Sequence, residues 1–310
     1  MDKRPVGTSG LEVAPLALGG NVFGWTADEE TSFALLDAFT DAGGTMIDSA
    51  DVYSAWVPGH SGGESETVIG RWLKRSGKRD KVVIATKVGF FEGLAPDKIA
   101  AACDASLRRL GIDCIDLYYQ HKDDEAVPLA DSLGAFERLV EAGKIRAVGL
   151  SQFTAERVDE AMETARRGGL TPPSALQIWY NLVERQRFEG ELRDAALRHG
   201  LAVFPFYSLA NGFLTGKYRS KEDLSKSVRG LRNAEYVEGK GMRVLDALDE
   251  VAAETGAALA TVALAWTMVQ PSVTAPLASA TSKAQLDEIL AAFDLRLSLS
   301  QIERLNAASA

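Results

Sequence analysis

The stretch "LALGGNVFG", Leu16 to Gly24, ends the first apolar run of the chain and places glycines at 19, 20 and 24. A doubly wound nucleotide-binding sheet would carry G-x-G-x-x-G at this junction, where the glycines let a diphosphate approach the start of a helix. The spacing here is different, so the rest of the chain decides what the strand belongs to. Apolar runs recur at Pro15–Leu18, Thr45–Ile47, Val82–Thr86, Ile115–Tyr119, Ile145–Leu150, Ala175–Trp179, Ala202–Phe206 and Val273–Leu277. Between them lie segments of helical periodicity. Ile99, Cys103, Leu107 and Leu110 share one helix face, as do Leu286, Ile289, Leu290 and Phe293. Strand and helix alternating eight times over 310 residues predicts an α/β fold, a closed (β/α)8 TIM barrel. Parallel strands need crossovers, and closure leaves no edge unpaired.

The opening "KRPVGTSGLEV" has short runs on either side of "GTSG" and reads as a β-hairpin outside the repeat, capping the bottom of the barrel. No linker or change of composition divides the chain, which predicts one domain over residues 1–310. The longest irregular piece, Asn211 to Glu238, is rich in Lys, Arg, Ser and Gly, and loops of that length in compact domains are usually functional.

Composition excludes several classes of function. At 46% hydrophobic and 25% charged residues the chain has globular composition, and its net charge of −9 has both signs interspersed. That argues against a nucleic-acid partner, which needs clustered Lys and Arg over one face. The basic clusters Lys74/Arg75/Lys78/Arg79 and Arg166/Arg167 read as solvated helix ends. Cys103 and Cys114 lack the neighbours of a zinc or redox motif and suit a reducing compartment. "MDKRPVGTSG" has no apolar core of a secretory signal, and the longest nearly unbroken apolar run, Ala257 to Val269, is too short to span a bilayer. The expectation is a soluble cytoplasmic protein with no membrane partner.

In a barrel, chemistry gathers where the strands end. The polar residues at those ends are Asp48, Asp51 and Tyr53; Lys87; Gln120, His121, Lys122, Asp123 and Asp124; Ser151 and Gln152; Gln177 and Asn181; and Tyr207 and Ser208. Each has an ordinary alternative: Lys87 as a snorkelling surface lysine, His121 as a bonded loop histidine, Asp48 as a loop cap, Tyr53 as a packed ring with a wet hydroxyl. All four alternatives would have to hold independently. A metal-dependent hydrolase using Asp48, Asp51, His121 and Asp123 is one chemistry for the set. Against it, the only histidines are His60, His121 and His199, with no H-x-H or H-x-x-x-H pair, so no metal is expected. Proton delivery is the better reading. A phenol is a poor acid near neutrality, with an ordinary pKa of about 10. A neighbouring lysine ammonium stabilises the phenolate, and a carboxylate keeps that lysine charged and in place. Tyr53, Lys87 and Asp48 supply these roles, and His121 can bond the oxygen being protonated.

These residues lie in "IDSADVY", "VVIATKVG" and "LRRLGIDCIDLYYQHKDD", and with "GGESETVIGRWLK", "LVEAGKIRAVGLSQF", "QIWYNLVER" and "LANGFLTGKY" the chain resembles the aldo-keto reductases over nearly its whole length. The resemblance implies a catalytic tetrad of Asp48, Tyr53, Lys87 and His121. It also implies hydride transfer between a nicotinamide dinucleotide, held extended across the barrel mouth, and a small-molecule carbonyl or alcohol. Ser151, Gln152 and Gln177 match the family positions that hold the nicotinamide carboxamide, and Asn21 joins the cofactor side of the mouth. Phe206 stands where the family often has the tyrosine that stacks on the nicotinamide ring, with plain core packing as the alternative. Tyr207, Ser208, Leu209, Asn211, Leu214, Gly216 and Lys217 match the loop over the pyrophosphate. "PLASATSKAQLDEIL" matches the adenosine-end motif and assigns Ser279, Thr281, Gln285 and Glu288 to the cofactor. Many relatives have an arginine near Thr281 or Ser282 for the 2′-phosphate. Here Lys283 is the only nearby cation, and Ile289 replaces the usual asparagine. NADP(H) is the expected cofactor, with NAD(H) also accommodated.

Two classes of activity follow from the resemblance: a carbonyl reductase, or alcohol dehydrogenase in reverse, and a cofactor-binding redox sensor or accessory subunit like the potassium-channel β subunits. The substrate pocket is expected from Asn21 to Trp25, Trp56, the segment after His121, and the long loop near Phe213 and Tyr236. Trp25, Trp56, Phe90 and Phe91 hint at a flat apolar or sugar-like ligand. Neither oligomeric state nor physiological substrate is encoded in any recognisable motif.

Overall fold

The alternation of apolar runs resolves into parallel strands that hydrogen-bond side by side in a computed structural model, which describes residues 2–310. A two-stranded antiparallel hairpin comes first, with β1 Arg4–Pro5 paired to β2 Glu12–Val13. The parallel strands follow: β3 Ala17–Gly19, β4 Met46–Asp48, β5 Val83–Val88, β6 Ile115–Gln120, β7 Ile145–Ser151, β8 Ala175–Trp179, β9 Ala202–Phe206 and β10 Leu277–Ala278. Their order is β10-β3-β4-β5-β6-β7-β8-β9, every neighbouring pair parallel. The ends of this sheet meet through a bridge between Val203 and Val273, leaving a nearly closed (β/α)8 barrel.

Helices return the chain from the top of each strand to the bottom of the next. They are α1 Glu29–Asp41, α2 Glu64–Ser76, α3 Pro96–Leu110, α4 Leu129–Glu141, α5 Ala155–Gly168, α6 Glu191–Arg198, α7 Lys240–Thr255, α8 Leu259–Met268, α9 Lys283–Leu290 and α10 Leu299–Ala308. Their ends are set by local chemistry. Asp28, Thr154 and Ser282 accept backbone N–H bonds at the starts of α1, α5 and α9, and Ser298 with Gln301 forms a capping box on α10. Where α2 crosses α3, Gly70 is needed for space, since a Cβ there would lie 2.3 Å from the Arg109 carbonyl oxygen. No single helix among the described residues is long and apolar enough to cross a membrane.

The last strand differs from its expected bounds of Val273–Leu277. Pro276 has no N–H to give to a ladder, so the run splits. Thr274 and Ala275 both donate to Val203 on one side, while the Pro276 carbonyl accepts from Ala17 on the other. β3 starts at Ala17, past Pro15 and Leu16.

Period-two geometry then fills the barrel and selects its upper face. Ala17, Met46, Val83, Ala85, Leu117, Tyr119, Ala147, Ala175, Ala202, Phe204, Ala275 and Leu277 form the buried interior, small alanines making room for Met46, Tyr119 and Phe204. Val6, Leu11 and Val13 of the hairpin belong to the same cluster, and Ala14 N–H bonds Thr45 at the foot of β4. The hairpin caps the bottom. Two residues further up the inward face of successive strands stand Asp48, Lys87, His121, Gln177 and Phe206, and Ser151 stands four beyond Ala147 on β7. The strand period that packs the interior therefore aims these six side chains at the C-terminal mouth.

Candidate active site

At the mouth, the ends of β4 and β5 bring three functional groups together. Lys87 Nζ donates to Asp48 Oδ2 at 2.6 Å, to the Ser49 carbonyl at 2.6 Å and to the Tyr53 hydroxyl oxygen at 2.9 Å. The Tyr53 hydroxyl donates in turn toward Asp48 Oδ2 at 3.3 Å. From β8, Gln177 Nε2 donates to the other oxygen, Asp48 Oδ1, at 2.8 Å. Lys87, Asp48 and Gln177 are buried, so this is a charged pair withdrawn from water and fixed on three sides. The Lys87 ammonium also lies 4.6 Å from the centre of the Tyr53 ring.

The electrostatics sharpen the roles. Burial pushes the Tyr53 phenol well above its ordinary range, with Asp48 acting in the same direction. Lys87 alone was expected to make this phenol more acidic. Instead, burial dominates, and Tyr53 is held as a neutral, proton-bearing group. Burial lowers the Lys87 value, opposed by Asp48. His121 is pushed well below its ordinary range by burial and by Lys87 and Lys122, so its imidazole is neutral at pH 7. Its ring centre is 6.1 Å from that of Tyr53 and 4.9 Å from that of Phe90, and its Nδ1 is buried without a partner.

The residues expected around a nicotinamide dinucleotide have diverse settings. Ser151 ends β7 with its hydroxyl buried and unpartnered. Gln152 follows at φ 57° and donates to the His121 carbonyl at 3.0 Å. Phe206 is half-buried, 6.3 Å from the Trp179 ring and 5.2 Å from that of Tyr207. Tyr207 and Asn211 are left-handed at φ 53°, backbone strain that persists only where surroundings impose it. Asn211 Oδ1 is buried without a partner. Ser208 is tied to the Pro205 carbonyl, and Leu209 and Leu214 pack into the core, which leaves their backbone as the part free to meet solvent at the mouth only where it is not already bonded. Gly216 is left-handed at φ 79°, and Lys217 lies over the Tyr218 ring with no ion partner among the described residues. Across the mouth, Ser279 donates to Asn21 Oδ1 at 2.7 Å, and Gly19 must lack a side chain because its Cβ would lie 2.6 Å from Ser279 Oγ. Thr281 bonds Gln285 Oε1 through both its N–H and its hydroxyl, and Glu288 is exposed. Lys283 is paired with Asp287 one turn along α9.

Unpartnered buried oxygens and a strained loop beside a row of polar strand ends form a cradle that fits an extended dinucleotide. The long loop adds Arg229, a residue the sequence reading did not single out. Its guanidinium stacks 5.1 Å from the Trp25 ring centre, has no carboxylate partner among the described residues, and acts on Tyr207 and Tyr53. The length of the loop was the only sequence signal for it. Trp25 meets Trp56 edge-on at 5.4 Å, and Trp56 meets Tyr53 at 6.1 Å, so both tryptophans line the approach to the phenol. Phe213 and Tyr236 do not: they pack together in the core, and the Tyr236 hydroxyl bonds Glu184. Asp123, offered above as a metal ligand, is clamped by Arg157 through two bonds at 2.6 and 2.9 Å. Among the described residues no group of three or more His, Cys, Asp or Glu is arranged to hold a metal ion.

Comparison with known proteins agrees with the geometry. Residues 15–310 match the model of the aldo/keto reductase family. The chain is 30% identical to "Aldo-keto reductase yakc [NADP(+)]" of Schizosaccharomyces pombe, over 91% of this chain and 83% of that protein. It is 32% identical to "Uncharacterized oxidoreductase YrpG" of Bacillus subtilis, over 99% and 95%. It is also 31% identical to a "Probable voltage-gated potassium channel subunit beta" of Oryza sativa subsp. japonica, over 95% and 92%. The chain belongs to the aldo/keto reductase family and is an NAD(P)H-dependent oxidoreductase.

Proposed function

We propose that this protein is a carbonyl reductase, working in reverse as an alcohol dehydrogenase, in which Tyr53 is the general acid. The observation that carries this reading is the 2.9 Å contact between a neutral phenol and a buried ammonium itself held by Asp48. A nicotinamide bound in the cradle supplies a hydride to the carbonyl carbon. The chain's own residues do the rest. His121, neutral, hydrogen-bonds the carbonyl oxygen and orients it; Tyr53 gives its proton to that oxygen as negative charge develops. Lys87 stabilises the phenolate left behind, so its charge favours the late stage of proton transfer more than the start, as catalysis requires. Asp48 and Gln177 keep Lys87 aligned. Trp25 and Trp56 exclude water and present apolar faces to the substrate.

Ser151, Gln152, Gln177 and Asn21 are proposed to contact the nicotinamide half, with Phe206 against the ring. The strained backbone from Tyr207 through Ser208, Leu209, Asn211, Leu214, Gly216 and Lys217, together with Arg229, would neutralise the diphosphate, and Ser279, Thr281, Gln285 and Glu288 would meet the adenosine. NADP(H) is the preferred cofactor in this reading, supported by the cofactor named for the yeast relative. Parallel fluorescence titrations with NADPH and NADH, followed by a panel of aldehydes and ketones, test it. Saturable binding with carbonyl-dependent oxidation of the nucleotide is expected. No turnover on the panel together with stoichiometric capture of a protein partner would favour the second reading, an accessory redox sensor, which the similarity to channel β subunits supports.

A further inference from the structure

One carboxyl near the site has no part in the mechanism above. Asp51 lies on the loop between β4 and α2, three residues past Asp48, and its backbone N–H donates to the Lys87 carbonyl at 3.2 Å. Its Oδ1 is buried and has no hydrogen-bond partner. The backbone folds closely over it: a Cβ on Gly62 would come within 2.8 Å of the Asp51 carbonyl oxygen.

The charged groups that act on Asp51 come from three surrounding elements. Glu66 of α2 is wholly buried; it accepts from Thr86 at 2.6 Å, and from Arg109 of α3 at 2.7 Å. Lys87 of β5 supplies the nearby positive charge on the barrel side, and Tyr118 of β6 responds to the Asp51 charge with a buried hydroxyl that also lacks a partner. Glu66 is satisfied by Thr86 and Arg109, which leaves Asp51 as the second carboxyl of the site; Arg109 and, less, Lys87 act on it in the opposite direction without a direct ion pair. A buried carboxyl beside a paired one keeps its proton to higher pH. The Asp51 carboxyl is accordingly pushed up to about 7, by burial first and Glu66 second.

We propose that Asp51 is a positioning residue of the reductase site: its carboxyl sets, through Lys87, how strongly Tyr53 gives up its proton, according to whether it is protonated or ionised. The proposal rests on the carbonyl-reductase reading. When Asp51 is neutral, the charge that Lys87 presents to Tyr53 is offset by Asp48 and, more weakly, by Glu66. When Asp51 is ionised, a further negative charge offsets Lys87, the phenolate is stabilised less, and Tyr53 is the weaker acid. Carbonyl reduction should slow as pH rises through neutrality, by about 3- to 10-fold for one screened charge at this range. His121 does not produce this step, because it is already neutral there.

The test compares wild type with Asp51→Asn, which keeps the shape and removes the titration, and Asp51→Glu, which restores it. Carboxyl 13C titration of aspartate-labelled protein should show one carboxyl with a midpoint near 7 that is missing in Asp51→Asn. The pH profile of kcat for reduction should show a step at the same pH in wild type, no step in Asp51→Asn, and a step again in Asp51→Glu. Absence of any aspartate titrating between about pH 6 and 8 would overturn the proposal, as would an unchanged kinetic step in Asp51→Asn. The 13C titration needs no substrate, so failure of the reductase reading would appear separately, as wild-type protein without turnover.

Discussion

Tyr53 and Lys87 lie within hydrogen-bonding distance at 2.9 Å although 34 residues separate them in sequence. The phenol is a neutral, proton-bearing group bonded directly to a fixed positive charge. Removing only its oxygen should therefore separate chemistry from binding. Tyr53→Phe is expected to lower kcat by about 10²- to 10⁴-fold, the usual contribution of a positioned acid. NADPH affinity, read by fluorescence titration, should change by no more than about twofold, because the phenyl ring keeps its packing against Trp56. Wild-type turnover in this variant would rule out the proposed acid.

The ion pair beneath that phenol makes a different prediction, about stability. Lys87 is wholly buried and Asp48 nearly so. Lys87→Met would strand the Asp48 carboxylate with only the neutral donors Gln177 and Tyr53 to satisfy it, at a cost of about 3–5 kcal/mol. Asp48→Asn combined with Lys87→Met removes both charges and should recover a large part of that loss. Urea denaturation of the two variants checks this. A double variant as unstable as the single one would mean that side-chain packing, rather than the unpaired charge, sets the cost.

Much of this site was legible in the sequence because strand period and chain order are local properties. Once "VVIAT" is read as a strand, Lys87 two residues past Ala85 must share its inward face, and the same parity places Asp48, Ser151 and Gln177. What stayed hidden depends on contacts distant along the chain. The direction in which the Tyr53 phenol is displaced follows from its burial, which no short stretch encodes. Arg229 lies in a loop without periodicity, and only the folded chain shows that it reaches Trp25. Pro276 was visible, but the way it divides the closing strand between Val203 and Ala17 was not.

Arg229 and Lys217 of the long loop and Lys283 of α9 predict distinct effects on nucleotide binding. Arg229 and Lys217 have no ion partner among the described residues, and a diphosphate is common to both nucleotides. Arg229→Met should weaken NADPH and NADH alike, by about tenfold or more for a charge-assisted contact. Lys283 is engaged with Asp287 and must be shared with a 2′-phosphate. Asp287→Asn should release it and tighten NADPH by about twofold while leaving NADH unchanged, since an exposed pair of this kind is worth about 0.3–0.5 kcal/mol. Parallel titrations decide it; an equal effect of Asp287→Asn on both nucleotides would move the 2′-phosphate away from α9.

Asp51 also links stability to pH, with a sign opposite to that of most aspartates. Its folded value of about 7 stands above the ordinary 3.8, so between those values the native protein holds a proton that the unfolded chain has lost. Its contribution to stability is complete below about pH 3.8 and disappears as pH rises through 7, where folding must bury a charge. Asp51→Asn carries no such charge at any pH. Its stability relative to wild type should rise between pH 4 and pH 8, by up to ~4 kcal/mol if the whole difference is expressed, and level off above. Urea melts of both proteins at half-unit steps over that range give the comparison directly. Parallel curves would mean that the Asp51 carboxyl ionises in the folded protein as freely as in the unfolded chain.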